Sequence, residues 1–219
     1  MPVRRFLGRL LLGGLVYTCL QPWAYDSQRM VDAARQLGPR AEAGARLLDE
    51  MLVRTSRADE PTRIRVVNQF FNDNITFGDD LAIWGQQDYW ASPLEMLNKG
   101  AGDCEDYAIA KYLTLTALSV PVAKLRMVYV RAWQESIGAR GVAHMVLAYY
   151  PSPDAEPMIL DNLVPEVRPA SQRPDLKPVF SFNGEGLWQG VGAQRVADDA
   201  QARLSRWREV LAKARAEGF

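Results

Sequence analysis

Apolar residues recur at helical spacing through the first half of the chain and switch to strand-like alternation in the second. Residues 27–53 are rich in Ala, Arg, Leu and Glu and predict helix, with a break at Gly38-Pro39. Pro61–Phe71 predicts another helix: proline suits its first turn, and Ile64, Val67, Phe70 and Phe71 share one face. Asn72–Asp80 reads as a polar loop. Ser92-Pro-Leu-Glu has the form of a helix start, with a capping serine, a first-turn proline and a glutamate three residues after the cap. That helix is expected to end near 98–102. Residues 103–118 predict a helix with an acidic first turn, as the helix dipole prefers. Ala108, Ile109, Tyr112, Leu113 and Leu115 make it strongly apolar and therefore central.

Alternation then takes over. Strands are expected over 122–132 and 142–150, joined by a loop over 133–141 that holds Gly138 and Gly141, with a short third strand over 157–160. The proline-rich stretch 163–193 reads as a long irregular excursion with no assigned role, and Asn183-Gly184 marks a turn within it. Residues 194–217 predict a terminal helix with Val196, Leu204, Trp207 and Leu211 as its buried stripe. Helices first, then a meander of strands, then a helix argues for an α+β fold.

Composition narrows the classes. A chain of 219 residues that is 48% hydrophobic and 24% charged is long enough for one real core, and is not a disordered tail, a collagen or a coiled coil. Lys+Arg and Asp+Glu are both 26, so the net charge is zero. With no basic stripe either, nucleic acid is not an expected partner. Arg4, Arg5 and Arg9 precede an apolar run over Leu10–Leu20, the layout of a secretory signal. This divides the chain into a signal over 1–24 and a single domain over 25–219. Pro22 fits the cleavage rule poorly, so an uncleaved inner-membrane anchor is a second reading, and an amphipathic first helix a third. Cys19 lacks a lipobox.

Removal of the signal leaves Cys104 as the one thiol, beside a single histidine, His144. An unpaired thiol in an oxidising compartment is a liability unless it is buried or used. Cys104 falls in the first turn of the central helix, where free N–H groups favour thiolate. Gly100 and Gly102 before it would let backbone approach a substrate. His144 lies on the second strand, and Asp161 follows the third. Adjacent antiparallel strands could set His144 beside Asp161 and the helix start could set Cys104 against His144, giving nucleophile, base and orienting acid. Asp103, Glu105 and Asp106 crowd Cys104 and would raise its pKa. A bound cation would remove that conflict, and hard oxygen ligands suit Ca²⁺; ordinary helix-start charge is the plainer alternative. Asp73–Gly78 is not an EF-hand, since Ile75 and Phe77 stand where oxygen ligands belong. At least one of Trp84 and Trp90 is expected in the core, and one could border the site.

The run Tyr89-Trp-Ala-Ser-Pro-Leu-Glu-Met-Leu-Asn-Lys-Gly-Ala-Gly-Asp-Cys-Glu-Asp-Tyr-Ala-Ile-Ala-Lys-Tyr closely resembles the bacterial transglutaminase-like cysteine proteinases. Ala143-His-Met-Val-Leu and Leu160-Asp-Asn-Leu resemble that family's His and Asp segments, so the resemblance covers residues 60–190. It implies a papain-like fold of the transglutaminase type, with the nucleophile at the N-terminus of a central helix packed on an antiparallel sheet that carries His and Asp. It implies Cys104 as nucleophile, His144 as general base and acid, and Asp161 as the orienting residue. The LapG-type members depend on Ca²⁺ held beside the nucleophile, which maps onto Asp103 and Glu105, with Asp106 a further candidate. They are periplasmic and cleave a large surface adhesin near its N-terminus at a di-alanine site. An inner-membrane cyclic-di-GMP receptor sequesters them and so preserves the biofilm. Transglutaminase-type acyl transfer on the same triad, or a calcium-stabilised peptide-binding module without catalysis, are the other functions such a chain would serve.

Overall fold

The structure is a computed structural model that describes residues 25–133, 141–192, 195–197, 200 and 204–219. The expected signal over 1–24 and most of the 133–141 loop lie outside the described residues.

The helical half follows the sequence pattern closely. Helices α1 (Ser27–Leu37) and α2 (Pro39–Thr55) break at Gly38, whose φ of 131° suits only glycine, and Pro39 occupies the first position of α2. Helix α3 (Glu60–Asn74) starts where Asp59 accepts the Thr62 N–H at 2.9 Å, and it runs three residues past Phe71. The stretch expected as polar loop therefore begins helical. It continues as β1 (Thr76–Phe77) and a short α4 (Asp80–Trp84). Helix α5 (Pro93–Lys99) carries the complete capping box: Ser92 Oγ accepts the Glu95 N–H, and Glu95 Oε2 accepts the Ser92 N–H at 2.8 Å. Gly100 closes it in the left-handed region at φ 64°. Strand β2 (Ala101–Gly102) pairs in parallel with β1 and leads directly into α6 (Cys104–Ala117).

Every residue of α6 from Asp106 to Leu115 is buried, as its apolar composition required. It lies between the other helices and a seven-stranded sheet. That sheet comprises β3 (Leu125–Ala132), β4 (Val142–Tyr149), β5 (Met158–Leu160), β6 (Arg168–Pro169), β7 (Leu176–Phe182), β8 (Leu187–Gln189) and β9 (Arg195–Ala197), in the order β6-β5-β4-β3-β7-β8-β9. Every pairing in it is antiparallel. Alternation along the strands sorts the faces. Leu125, Met127, Leu147, Tyr149 and Phe182 join the main core under α6, whereas Val128, Val130, Val146, Ala148 and Ile159 form a second cluster on the outer face.

Two expectations fail in the C-terminal half. The proline-rich stretch 163–193 is not an irregular excursion, because it supplies β6, β7 and β8. Pro178 sits within β7 opposite Val130, where the register shifts against Tyr129, and β8 covers only residues 180–182 of β7. A proline costs no ladder bond at a bulge beside an open edge, so its strand-breaking signal misleads. The expected helix over 194–217 is also divided. Residues 195–197 pair with β8 as a strand, and helix α7 takes up Ser205–Ala216. Val196 is therefore 52% exposed instead of buried, while Trp207 and Leu211 are buried as expected. The open edge of β8 offers Arg195–Ala197 hydrogen bonds that local helix propensity cannot match.

Candidate active site

Cys104 is the first residue of α6, which packs against β4. Among the described residues β5 pairs with only Leu147–Tyr149 of β4, so the first half of β4 is open along one edge. The Met145 N–H from that half reaches the Cys104 sulfur. His144 is 4% exposed, and its Nε2 lies 2.8 Å from Asp161 Oδ1. Asp161 follows the last residue of β5 and is fully buried behind the imidazole. The short β4·β5 ladder thus brings together two residues 17 apart in sequence.

Cys104 and His144 line one cleft of about 500 Å³, together with Trp90, Tyr129, Phe180 and Arg206. Of the two tryptophans, Trp90 is the one at the site. It stacks on Phe182 with centroids 6.0 Å apart, while Trp84 packs on Tyr89 at 4.6 Å. Lys213 of α7 fixes this wall. Its Nζ donates to the Trp90 carbonyl at 2.9 Å and to Glu95 Oε2 at 2.7 Å, and Tyr89 donates to Glu95 Oε1 at 2.6 Å.

The electrostatics are divided. Burial would raise the Asp161 carboxyl, but His144, the Leu163 N–H and Arg173 outweigh it and hold the pKa down to about 2. Asp161 is therefore a carboxylate throughout the physiological range. Cys104 is pushed the other way. Burial raises its thiol well above the ordinary value, and Glu105, whose Oε2 accepts from Sγ at 3.0 Å, adds to the shift, with Asp103 behind it.

The acidic residues explain this tension. Asp80, Asp103 and Asp106 converge, with ligand oxygens all within 4.8 Å of one another, and Asp103, Cys104 and Glu105 form an overlapping group. Burial, reinforced by mutual repulsion, pushes Asp103 up to about 9 and Asp106 up to about 8, and raises Asp80 as well. One buried oxygen of each of the three, Asp80 Oδ1, Asp103 Oδ1 and Asp106 Oδ2, has no hydrogen-bond partner. Their other contacts orient them: Asp106 Oδ1 accepts the Ala91 N–H at 2.7 Å, and Asp80 Oδ2 accepts the Tyr89 N–H. Three converging, buried carboxylates, each with an unpartnered oxygen, fit a hard divalent cation. The structure thus adds Asp80 to the expected Asp103, Glu105 and Asp106. Asp80 lies 23 residues before Asp103, and its only signal in sequence is an acid at the end of a polar loop.

The glycines before Cys104 serve the interior, in contrast to the expected approach to substrate. A Cβ on Gly102 would lie 2.9 Å from Asp106 Cβ and Oδ2, and one on Gly100 would overlap the Arg40 guanidinium.

Comparison with known proteins agrees with this geometry. The family model described as bacterial transglutaminase-like cysteine proteinase matches residues 42–175, more than half of the chain. Three solved structures of Legionella pneumophila LapG, all 34% identical, are similar. The EGTA-treated form matches 87% of this chain and 98% of that one with a TM-score of 0.75. A second LapG structure matches the same shares with a TM-score of 0.73. The calcium-bound form matches 86% and 98% with a TM-score of 0.72. No curated protein matches the chain significantly. By motif, fold and site, the chain belongs to the bacterial transglutaminase-like cysteine proteinases.

Proposed function

We propose that this cysteine protease is a calcium-dependent endopeptidase in which Cys104 is the nucleophile, His144 the general base and acid, and Asp161 the residue that orients the imidazole. The observation that carries this reading is the 2.8 Å contact of His144 Nε2 with Asp161, on an imidazole that lines the same cleft as the Cys104 thiol. Nε2–H donates to Asp161, which leaves Nδ1 to exchange a proton with Cys104. The thiolate attacks the scissile carbonyl, His144 protonates the leaving amine, and the imidazole then activates water to release the acyl-enzyme. The Cys104 N–H at the start of α6 is the first oxyanion donor.

Asp80, Asp103 and Asp106 hold the calcium ion, with Glu105 beside them. Bound there, calcium supplies positive charge that offsets the carboxylates raising the thiol. Support comes from the three unpartnered oxygens and from the calcium-bound and EGTA-treated forms in which the similar Legionella protein is known.

The substrate in this reading is a large surface adhesin, cut near its N-terminus at a di-alanine site to release it and disperse the biofilm. An inner-membrane cyclic-di-GMP receptor restrains the protease. The arginines and apolar run of residues 4–20 support a periplasmic location. The motif segments shared with LapG-type proteases support the substrate and the receptor.

The test is cleavage of a purified adhesin N-terminal segment by wild type, Cys104→Ala and His144→Ala, each with and without a chelator. Wild type should yield two fragments, chelation should stop it, and added Ca²⁺ should restore it. His144→Ala should lose at least about 10³-fold in rate. Cutting by Cys104→Ala would sink the thiol mechanism. An amine-substituted or cross-linked product would replace hydrolysis with acyl transfer.

A further inference from the structure

The stretch between β5 and β7 sends one charged side chain to the back of the His144–Asp161 pair. Arg173 is 3% exposed. Its Nη2 donates to Asp161 Oδ2 at 2.7 Å and to Asp175 Oδ2 at 2.8 Å, and its Nε donates to Asp175 Oδ1 at 3.0 Å. The opposite oxygen, Asp161 Oδ1, takes His144 Nε2 and the Leu163 N–H at 3.1 Å. The Asp161 carbonyl is held as well, by Asn72 Nδ2 at 2.8 Å and Lys111 Nζ at 3.1 Å. The carboxylate that meets the imidazole is therefore clamped along both edges and at its backbone.

The clamp is itself anchored. The Trp133 N–H at the end of β3 donates to the Asp175 carbonyl at 2.9 Å, and the Leu176 N–H donates to the Arg173 carbonyl at 3.1 Å. Packing alone does not explain an arginine here. Val130, Val146 and Leu176, which line the same small cavity, are apolar, and a buried guanidinium carries a desolvation cost that only well-placed carboxylates offset. Nε and Nη2 hold both oxygens of Asp175 while Nη2 also reaches Asp161, a fixed planar geometry that a lysine ammonium does not reproduce.

We infer that Arg173 is a positioning residue of the reaction: by holding Asp161 Oδ2 it keeps Oδ1 on His144 and so keeps the imidazole turned toward Cys104. The inference rests on the assignment of Cys104, His144 and Asp161 proposed above. Without Arg173, Oδ2 becomes a buried oxygen with no partner, and the carboxylate turns to find one. A small misorientation of this kind costs rate, since reactivity depends on near-attack geometry.

The single histidine makes the test direct, because an untagged chain has only one imidazole to observe. The full-length protein with saturating calcium is followed by proton NMR for the far-downfield Nε2–H signal. In parallel, the rate of Cys104 alkylation by iodoacetamide at pH 7 is read by peptide mass. Wild type should show an exchange-protected signal. Arg173→Gln should lose that signal to exchange while keeping a dispersed amide spectrum, and its Cys104 should alkylate about tenfold more slowly. Arg173→Lys should recover part of both, since the charge returns without the fork. A purely structural role would leave the imidazole signal and the rate per folded molecule unchanged, and that result overturns the inference. Should Arg173→Gln not fold, Asp175→Asn loosens Arg173 without removing it, and the same two readouts decide: a weakened signal with slower alkylation supports the clamp, and wild-type values refute it. His144→Ala separates the two levels. If it leaves Cys104 alkylation unchanged, the triad reading fails and this inference fails with it. If it slows alkylation while Arg173→Gln does not, only the inference fails.

Discussion

Replacing Asp80 by asparagine should stabilise the protein in chelator and destabilise its response to calcium, a reversal of sign that few other mechanisms produce. The converging ligand oxygens of Asp80, Asp103 and Asp106 lie within 4.8 Å of one another. Two full charges at that distance repel by about 3.5 kcal/mol at an effective dielectric constant of about 20. Asp103 and Asp106, pushed up to about 9 and about 8, take up protons at neutral pH and relieve much of this. About 1 kcal/mol should remain to be gained when Asp80 loses its charge, and asparagine can still accept the Tyr89 N–H. For a chain of this size that is an increase in Tm of about 2–4 °C in EGTA. With calcium at about 100 times Kd, wild type should gain about 2.7 kcal/mol from binding. A tenfold loss of affinity in the variant would leave about 1.4 kcal/mol at the same calcium concentration, roughly halving the calcium-induced rise in Tm. Scanning calorimetry of both proteins in EGTA and in a calcium series measures both effects. A variant that melts below wild type in EGTA and shows the full calcium response would remove Asp80 from the ion site.

Other predictions concern Asp161, the approach to the acidic cluster, and the loop after β7. Asp161 is held near pH 2 against the usual 3.8, so it contributes stability above pH 4 that is lost as pH falls toward 2. The stability of Asp161→Asn, measured by urea unfolding from pH 4 to 2, should therefore fall by about 2 kcal/mol less than that of wild type. An equal slope would refute the bound, ionised state of Asp161. Gly102→Ala should weaken calcium binding more than it lowers Tm in EGTA, because the new methyl would press on the Asp106 carboxylate; calcium titration by calorimetry reads this. Asn183→Ala should cost about 2–3 kcal/mol, seen in urea unfolding, because the side chain donates to the Val122 and Leu125 carbonyls and accepts the Glu185 and Gly186 N–H groups. A cost under about 0.5 kcal/mol would show that water replaces these bonds without penalty.

Much of this molecule is written in contiguous sequence. The break at Gly38-Pro39, the capping box at Ser92 and Glu95, the apolar sweep of α6 and the alternation of β3 and β4 are local signals, and each element formed where its signal stood. The three residues of the proposed triad were legible for a related reason. Cys104 and His144 stand out in a chain with one histidine and one thiol outside the N-terminal segment, Cys104 and Asp161 lie at element boundaries that the pattern marks, and His144 lies within a strand that alternation marks. What the sequence could not express is pairing across distance. Strand β7 carries Pro178, and β8 and β9 are three-residue runs of weak local preference; they form because the edges of β3, β7 and β8 offer hydrogen bonds. Asp80 and Arg173 are a loop acid and a loop arginine until the fold buries them, one against Asp103 and Asp106 and the other against Asp161. Sequence by itself determined the chemistry available and the elements that bear it, since backbone propensity and side-chain type are local properties. Tertiary structure alone decided which carboxylates converge beside Cys104 and which arginine meets Asp161, since burial and electrostatic pairing arise only when distant segments meet.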